Sequence, residues 1–391
     1  MSTYAEAMAT TPPHGDSDQP DQRWTGRAKV STGSGRATAP PPRRPVTPPP
    51  APPTYGGKKR TRPRWGRIAL VSVIVLALVA GVGVLGSYLW FKNVDDGLKR
   101  TDAFSDVAGR PQKVVDGTLN ILLLGSDSRD PGAPIDQAGK WRTDTIMMLH
   151  VPADHSKAYL VSIPRDLWVH VPESKDGQHG NTNAKINAAY AWGGAPLIVQ
   201  TVEEYTGVRM DHVVLIDFAG FVKVTDALGG VDMNVDQTIK SIFKPYRVFN
   251  KGPNHFNGTE ALDYVRQRYQ FADGDFARQR HQQQFLKALL DKAASGATLT
   301  NVSAFKDFVS ATAAALTVDK DFSLFDLGWQ FRGLRSKDLT FLVSPNKGSG
   351  TMNGESVVLS DKTKALAFYD AVSKDTLAAY LAGAATPQSA G

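Results

Sequence analysis

Four arginines, Arg266, Arg268, Arg278 and Arg280, stand in one stretch, YVRQRYQFADGDFARQRHQQQF (264–285), with Asp273 and Asp275 between them and aromatics interleaved. Guanidinium forks match phosphate and carboxylate oxygens bidentately, so such a cluster suits a compact anion. The same stretch can also be read as a solvated charge network or as a nucleic-acid patch. Helical spacing separates the arginines. Positions 278, 282, 285 and 289 recur on one helix face, so Arg278 and Gln282 share a stripe with Phe285 and Leu289. Burial of the two apolar residues carries Arg278 inward, where a charge needs an opposite partner. Arg280 falls roughly opposite and is expected in water. Asp275 stands where a carboxylate caps the helix on its free backbone N–H groups. Arg266 and Arg268, if extended past a helix over 259–266, project to the side of Arg278.

A second group of charges is set by three short apolar runs. NILLLG (Asn120–Gly125), DTIMMLHV (Asp144–Val151) and KAYLVSIP (Lys157–Pro164) read as strands ended by glycine or proline. The short link PADHSK makes the last two antiparallel. As an up-down-up meander, the three strands bring SDSR, RTD and PRD to one end of one sheet. Asp127, Arg129, Arg142, Asp144, Arg165 and Asp166 then crowd one rim. Carboxylates among arginines suit a hard divalent ion shared with a bound phosphate, because such ions take oxygen ligands.

The elements that must position these groups alternate. DHVVLIDF and GVDMNV read as further strands, with the helix AGFVKVTDALGG between them and Gly229 as its stop. Helices are expected at 184–206, 259–266 and 275–295, and DLTFLVSP as a late strand before a terminal helix. The pattern predicts an α/β fold, a mixed β-sheet covered by helices.

Ahead of this domain, residues 1–66 are Pro-rich and poor in aliphatics, a composition that cannot offset the entropy of ordering. Ile68 to Phe91 carries no charge and as a helix spans about 36 Å, enough for a bilayer core. KKRTRPRWGR before it holds six basic residues and no acid, which places the tail in the cytoplasm and the following domain outside. The apolar run is too long and starts too late for a signal peptide. The expected organisation is a disordered cytoplasmic tail (1–66), one transmembrane helix (67–91), a stalk (92–115), an extracytoplasmic domain (116–375) and a flexible C-terminus (376–391).

Charge and composition exclude several classes. The net charge of +7 is concentrated before Ile68, with 12 basic against 4 acidic residues; the remainder has 33 against 34. A nucleic-acid footprint needs a basic excess on the folded part, so none is expected. The absence of cysteine removes disulfides, thiolate nucleophiles and Cys-ligated zinc. GVGVLG (81–86) lies inside the apolar span and not in a βαβ unit, so it does not mark dinucleotide binding. SAFK (303–306) lacks the partner motifs of a serine acyltransferase, and no HExxH, GxSxG or Walker loop occurs. His281, beside Arg280, reads as a surface or supporting residue.

NILLLGSDSR, RTDTIMMLHV, VSIPRDLWV, KINAAYAWGG, DFAGFVKVTDALGGVDMNV, GTEALDYVRQR and GDFARQRHQQQF, in this order, resemble the blocks of the LytR–CpsA–Psr family. The resemblance covers roughly Asn120 to Leu290, and RTDT, SIPRD and GDFAR are its most specific parts. It implies an α/β/α sandwich and a membrane-anchored phosphotransferase. Such an enzyme moves a glycopolymer from a polyprenyl-pyrophosphate carrier onto peptidoglycan, at the C6 hydroxyl of N-acetylmuramic acid. By motif, the implied Mg2+ ligands are Asp127 and Asp144, with Mn2+ as an alternative ion. Arg142, Arg165, Arg266, Arg268 and Arg278 would bind pyrophosphate, with Arg129 and Gln282 supporting it. Asp275 would orient arginines or the acceptor hydroxyl. His281 stands where many members have an arginine, and the 125–143 loop is long. A pyrophosphatase using water, or a module that only binds a lipid-linked anion, would use the same residues.

Overall fold

The computed structural model describes residues 88–105, 107, 109–126 and 143–385. The Pro-rich tail and the expected anchor up to residue 87 lie outside them. So do Asp127, Arg129 and Arg142. Among the described residues no helix is long and apolar enough to cross a membrane.

A helix over 88–96 (α1) leads into β1 (Lys99–Thr101), then β2 (Leu119–Ser126), β3 (Thr143–Val151) and β4 (Ala158–Ile163). The ribbon β5 (Trp168–Val171) and β6 (Thr182–Lys185) precedes α2 (Asn187–Thr206), β7 (His212–Asp217) and α3 (Phe218–Ala227). Short strands β8 (Val231–Val235), β9 (Ile239–Lys240), β10 (Val248–Phe249) and β11 (Gly252–Phe256) lead to α4 (Gly258–Val265) and α5 (Asp275–Ala293). Next come α6 (Gly296–Thr300), α7 (Val302–Ala315), β12 (Leu316–Asp319), α8 (Leu324–Phe331) and β13 (Leu339–Val343). The hairpin β14 (Asn346–Met352) and β15 (Glu355–Ser360) and helices α9 (Lys362–Ser373) and α10 (Leu377–Ala385) close the chain.

Seven strands form one mixed sheet in the order β1-β12-β7-β2-β3-β4-β13. The expected meander is present: β2, β3 and β4 pair antiparallel in succession, with Leu123 opposite Met147 and Met148 opposite Val161. β7 lies parallel to β2, and DLTFLVSP enters the sheet as β13, parallel to β4. Side chains alternate across β2. Leu122 and Leu124 pack with Ile198 of α2 and Tyr369 of α9 on one face. Ile121 and Leu123 join Val309 of α7 and Leu327 of α8 on the other. A sheet covered on both faces explains why β2 reads as a nearly continuous apolar run.

Three expectations are corrected. The helix expected from 184 begins at Asn187, because Thr182–Lys185 pairs as β6. It breaks at Gly193–Gly194, where φ is −144° and 65°. The expected stalk is partly built into the domain: β1 edges the sheet beside β12, and Arg100 donates to the carbonyls of Lys320 and Phe322. Residues from 377 continue as α10 rather than as a tail, because Leu377 is buried and Tyr380 and Leu381 pack on the core.

Candidate active site

The strand ends meet at one edge of the sheet. Ser126 closes β2 opposite Thr143 at the start of β3, and Arg165 follows the end of β4. Asp217 ends β7 and caps α3, accepting from the backbone N–H of Gly220 at 2.6 Å. α4 is fixed by a reciprocal cap in which Asn257 accepts from the N–H of Glu260 and Glu260 accepts from that of Asn257. Close approach holds these helices over the sheet. A Cβ at Gly258 would stand 2.4 Å from the Val222 carbonyl oxygen, and one at Gly220 2.8 Å from that of Ala315. Both positions therefore require glycine, and α3 sits tightly against α4 and α7.

Beneath α3, α4, α5 and α7 runs a cavity of about 450 Å³. Its polar lining includes Ser126, Asp144, Arg165, Arg266, Arg268 and Arg278, with Gln282 one turn further along α5. Its apolar lining comes from mid-strand residues Leu123 and Val214 and from Phe221, Phe285 and Leu289. On α5, positions 278 and 289 lie about 16 Å apart along the axis. The charged and apolar linings are therefore separated lengthwise.

The helix phase read from 278, 282, 285 and 289 holds. Arg278 is 5% exposed and Phe285 is buried. Arg280 points outward and pairs with Asp273, both in solvent. Of the roles expected for Asp275, the helix cap is corrected. Gly274, with φ of 51°, takes the cap position, so Asp275 is the first helical residue and caps nothing. Its carboxylate instead lies 2.6 Å from Arg278 and 4.0 Å from both Arg165 and Arg268. One acid thus ties three arginines that come from three separate segments.

Arg165 also pairs with Asp144 and lies 3.4 Å from Asp166. Burial opposes its charge, but Asp144, Asp166 and Asp275 together raise its pKa above the ordinary arginine range. Burial pushes Arg278 the other way, against the pull of Asp275. The buried Arg278 Nε–H has no hydrogen-bond acceptor, and the Arg165 Nε–H makes no hydrogen bond although Asp166 lies 3.4 Å from it. An orphaned buried donor costs about 1–3 kcal/mol, which a bound anion would relieve at Arg278.

Arg266 and Arg268 reach the same cavity, but Arg266 does so from the last turn of α4 and not from extended chain. Arg266 has helical backbone angles at the end of α4. Its guanidinium stacks between Phe218 at 4.4 Å and Phe243 at 4.1 Å, a sandwich the sequence spacing does not disclose. Tyr269, exposed at the mouth beside Arg268, is a further cavity residue the sequence reading did not single out. His281 is corrected from surface to core. It is buried between Tyr264 and Phe271, with Nε2 3.2 Å from Asp236, and burial lowers its pKa.

Among the described residues no three metal-ligating side chains cluster. Asp144 is nevertheless an oxygen donor in the cavity wall beside four arginines. Magnesium commonly binds through one or two carboxylates plus substrate phosphates, so this donor fits such an ion.

The LytR_cpsA_psr family model matches residues 89–374. The chain belongs to the LytR_cpsA_psr family. It is similar to the cell wall biosynthesis protein LcpA of Corynebacterium glutamicum, at 30% identity over 77% of this chain and 64% of that one. The polyisoprenyl-teichoic acid–peptidoglycan teichoic acid transferase TagU of Bacillus cereus is 34% identical over 49% of this chain and 57% of its own. The chain thus spans less than two thirds of the length of these two relatives. Among solved structures, Bacillus subtilis TagV superposes with a TM-score of 0.54 at 26% identity, over 68% of this chain and 99% of TagV. As a LytR_cpsA_psr member, the chain shares with TagV the mixed sheet between helical layers. The match from residue 89 agrees with α1 and β1 being part of the domain.

Proposed function

We propose that the protein is a membrane-anchored, extracytoplasmic phosphotransferase. It moves a glycopolymer from a polyprenyl-pyrophosphate carrier to peptidoglycan, at the C6 hydroxyl of N-acetylmuramic acid. The observation that carries this reading is the cavity itself: arginines with orphaned donors at one end and a long apolar lining at the other. An amphiphile with a compact anionic head and a prenyl tail matches that division. The relatives named for teichoic acid transfer and cell wall biosynthesis support the polymer class.

In this reading Arg165, Arg268 and Arg278 grip the pyrophosphate, joined by Arg142 and Arg129, while Gln282 supports a phosphate oxygen. Arg266, held flat between two rings, keeps its charge at the mouth. Asp275 is a positioning residue that fixes three guanidinium groups before the substrate arrives. The acceptor hydroxyl oxygen attacks the phosphorus that bears the glycan. The bond from that phosphorus to the bridging oxygen breaks, polyprenyl phosphate leaves with the bond's electrons, and the proton lost by the hydroxyl passes through solvent to the departing phosphate. Fixed positive charge stabilises the oxygens that gain charge, so no protein nucleophile is needed. Mg2+, or Mn2+, held by Asp144 and Asp127, would supply further charge neutralisation.

The test is turnover of a polyprenyl-pyrophosphate-linked glycan by the full chain in vesicles, with and without a peptidoglycan fragment. The proposal expects glycan on the fragment and metal-dependent release of polyprenyl phosphate. Equal release without the fragment, with no glycan joined to it, would identify a pyrophosphatase instead.

A further inference from the structure

Outside the arginine cluster, the helical layer carries an apolar surface that the chemistry does not use. On α8, Phe325, Gly328, Trp329 and Arg332 follow helical spacing along one face, and all are solvent-exposed, Trp329 by 62%. The opposite side of α8 holds Leu327, buried in the core. The exposed stripe is continuous with α1, whose first residues are exposed as well. The Tyr88 ring lies 6.2 Å from Phe325, edge to face, and Phe91 lies 5.9 Å from it. The Arg332 guanidinium lies 4.1 Å over the Trp329 ring, and Lys306 of α7 lies 5.7 Å from the Trp90 ring. Exposed aromatics rimmed by arginine and lysine do not suit bulk water, but they suit the boundary between acyl chains and anionic headgroups.

The place of this surface in the chain selects its occupant. Tyr88 lies near the end of Ile68–Phe91, the uncharged segment read as the membrane anchor. The face that touches α1 therefore emerges beside the bilayer, whereas a second protein would have to compete for it. We infer that the α1–α8 face is a lipid-docking surface, which seats Phe325 and Trp329 among the headgroups of the same bilayer and fixes the tilt of the domain. The inference rests on the anchored reading proposed above. It adds a second, interfacial contact, so that the cavity meets the lipid carrier in a set orientation.

The chain has no cysteine, so single labels report cleanly. Gly328→Cys leaves both aromatics in place, and a side chain there meets nothing within 4 Å. Ala77→Cys reports the middle of the anchor, and Leu366→Cys the exposed face of α9. Each full-length variant, nitroxide-labelled, is reconstituted in vesicles of phosphatidylcholine and phosphatidylglycerol, and relaxation by oxygen is compared with relaxation by a water-soluble nickel chelate. The expected oxygen-to-nickel ratio is highest at 77, several-fold above the 366 value at 328, and aqueous at 366. Replacing Phe325 and Trp329 with glutamate should return the 328 label to the aqueous value while 77 stays in lipid. An aqueous label at 328 with a lipid-embedded label at 77 would overturn the docking surface and leave the anchor standing. An aqueous label at 77 would remove the anchor and the inference together.

Discussion

Arg278 and Arg280 lie two residues apart on α5 and should behave as different kinds of residue. Arg278 is 5% exposed and lines the cavity, whereas the Arg280 side chain is 53% exposed and pairs with Asp273 at the surface. In the proposed function, Arg278→Ala removes a charge-assisted contact to phosphate in a desolvated site. Loss of one such preorganised donor costs about 3–4 kcal/mol in the transition state, or roughly 10²- to 10³-fold in kcat. The stability loss should be smaller than the 3–5 kcal/mol typical of breaking a buried pair. Asp275 is not stranded, because Arg165 and Arg268 remain 4.0 Å away. Arg278→Lys should recover little, since an ammonium lacks the planar fork that serves phosphate and Asp275 together. Arg280→Ala breaks an exposed pair worth about 0–1 kcal/mol and should change turnover less than about threefold. The assay is turnover of the lipid-pyrophosphate donor by each full-length variant, alongside urea denaturation to correct for the folded fraction. Equal losses at 278 and 280, or an Arg278→Ala loss fully explained by unfolding, would refute the inward clamp.

Asp144→Ala and Asp127→Ala should each shift the Mg2+ titration of turnover and nearly abolish the rate; an unchanged titration marks that carboxylate as structural. Leu289→Phe should narrow the apolar end of the cavity at an overpacking cost of about 1–3 kcal/mol. It should raise KM for a long-chain prenyl donor but not for a short-chain one, and an equal rise for both would place the tail elsewhere. His281 has a folded-state pKa lowered by burial, so its neutral form stabilises the fold above about pH 6.5 and that contribution fades as pH falls. His281→Phe keeps the ring between Tyr264 and Phe271 and should flatten the decline of Tm between pH 7 and pH 5; an undiminished decline would assign it to other groups, such as buried His150, whose pKa burial also lowers.

The sheet was legible because its strands are short, apolar and bounded by glycine, proline and charge. The meander placed Asp144 and Arg165 together before any contact was known, and their pairing follows. The α5 face was legible for the same reason, since a period set by backbone geometry is written directly in the sequence. What escaped was long-range. Lys99–Thr101 joins the sheet beside residues more than two hundred positions away, and nothing local in KRT records that partner. The Phe218–Arg266–Phe243 stack draws on three separated segments. His281 looked polar beside Arg280, yet its ring packs between aromatics that are neighbours only in the fold. The cap expected of Asp275 failed because a flanking glycine with left-handed backbone took that position and left the acid to the arginines.

The central claim is that one cavity holds both ends of a lipid-linked anion, and a structure of the protein with a short-chain polyprenyl pyrophosphate tests it most directly. Phosphate oxygens are expected within hydrogen-bonding distance of the Nε–H groups or terminal nitrogens of Arg165 and Arg278, with the prenyl chain running past Phe221 and Phe285 toward Leu289. Phosphate bound away from these arginines, or a prenyl chain left outside the cavity, would contradict it.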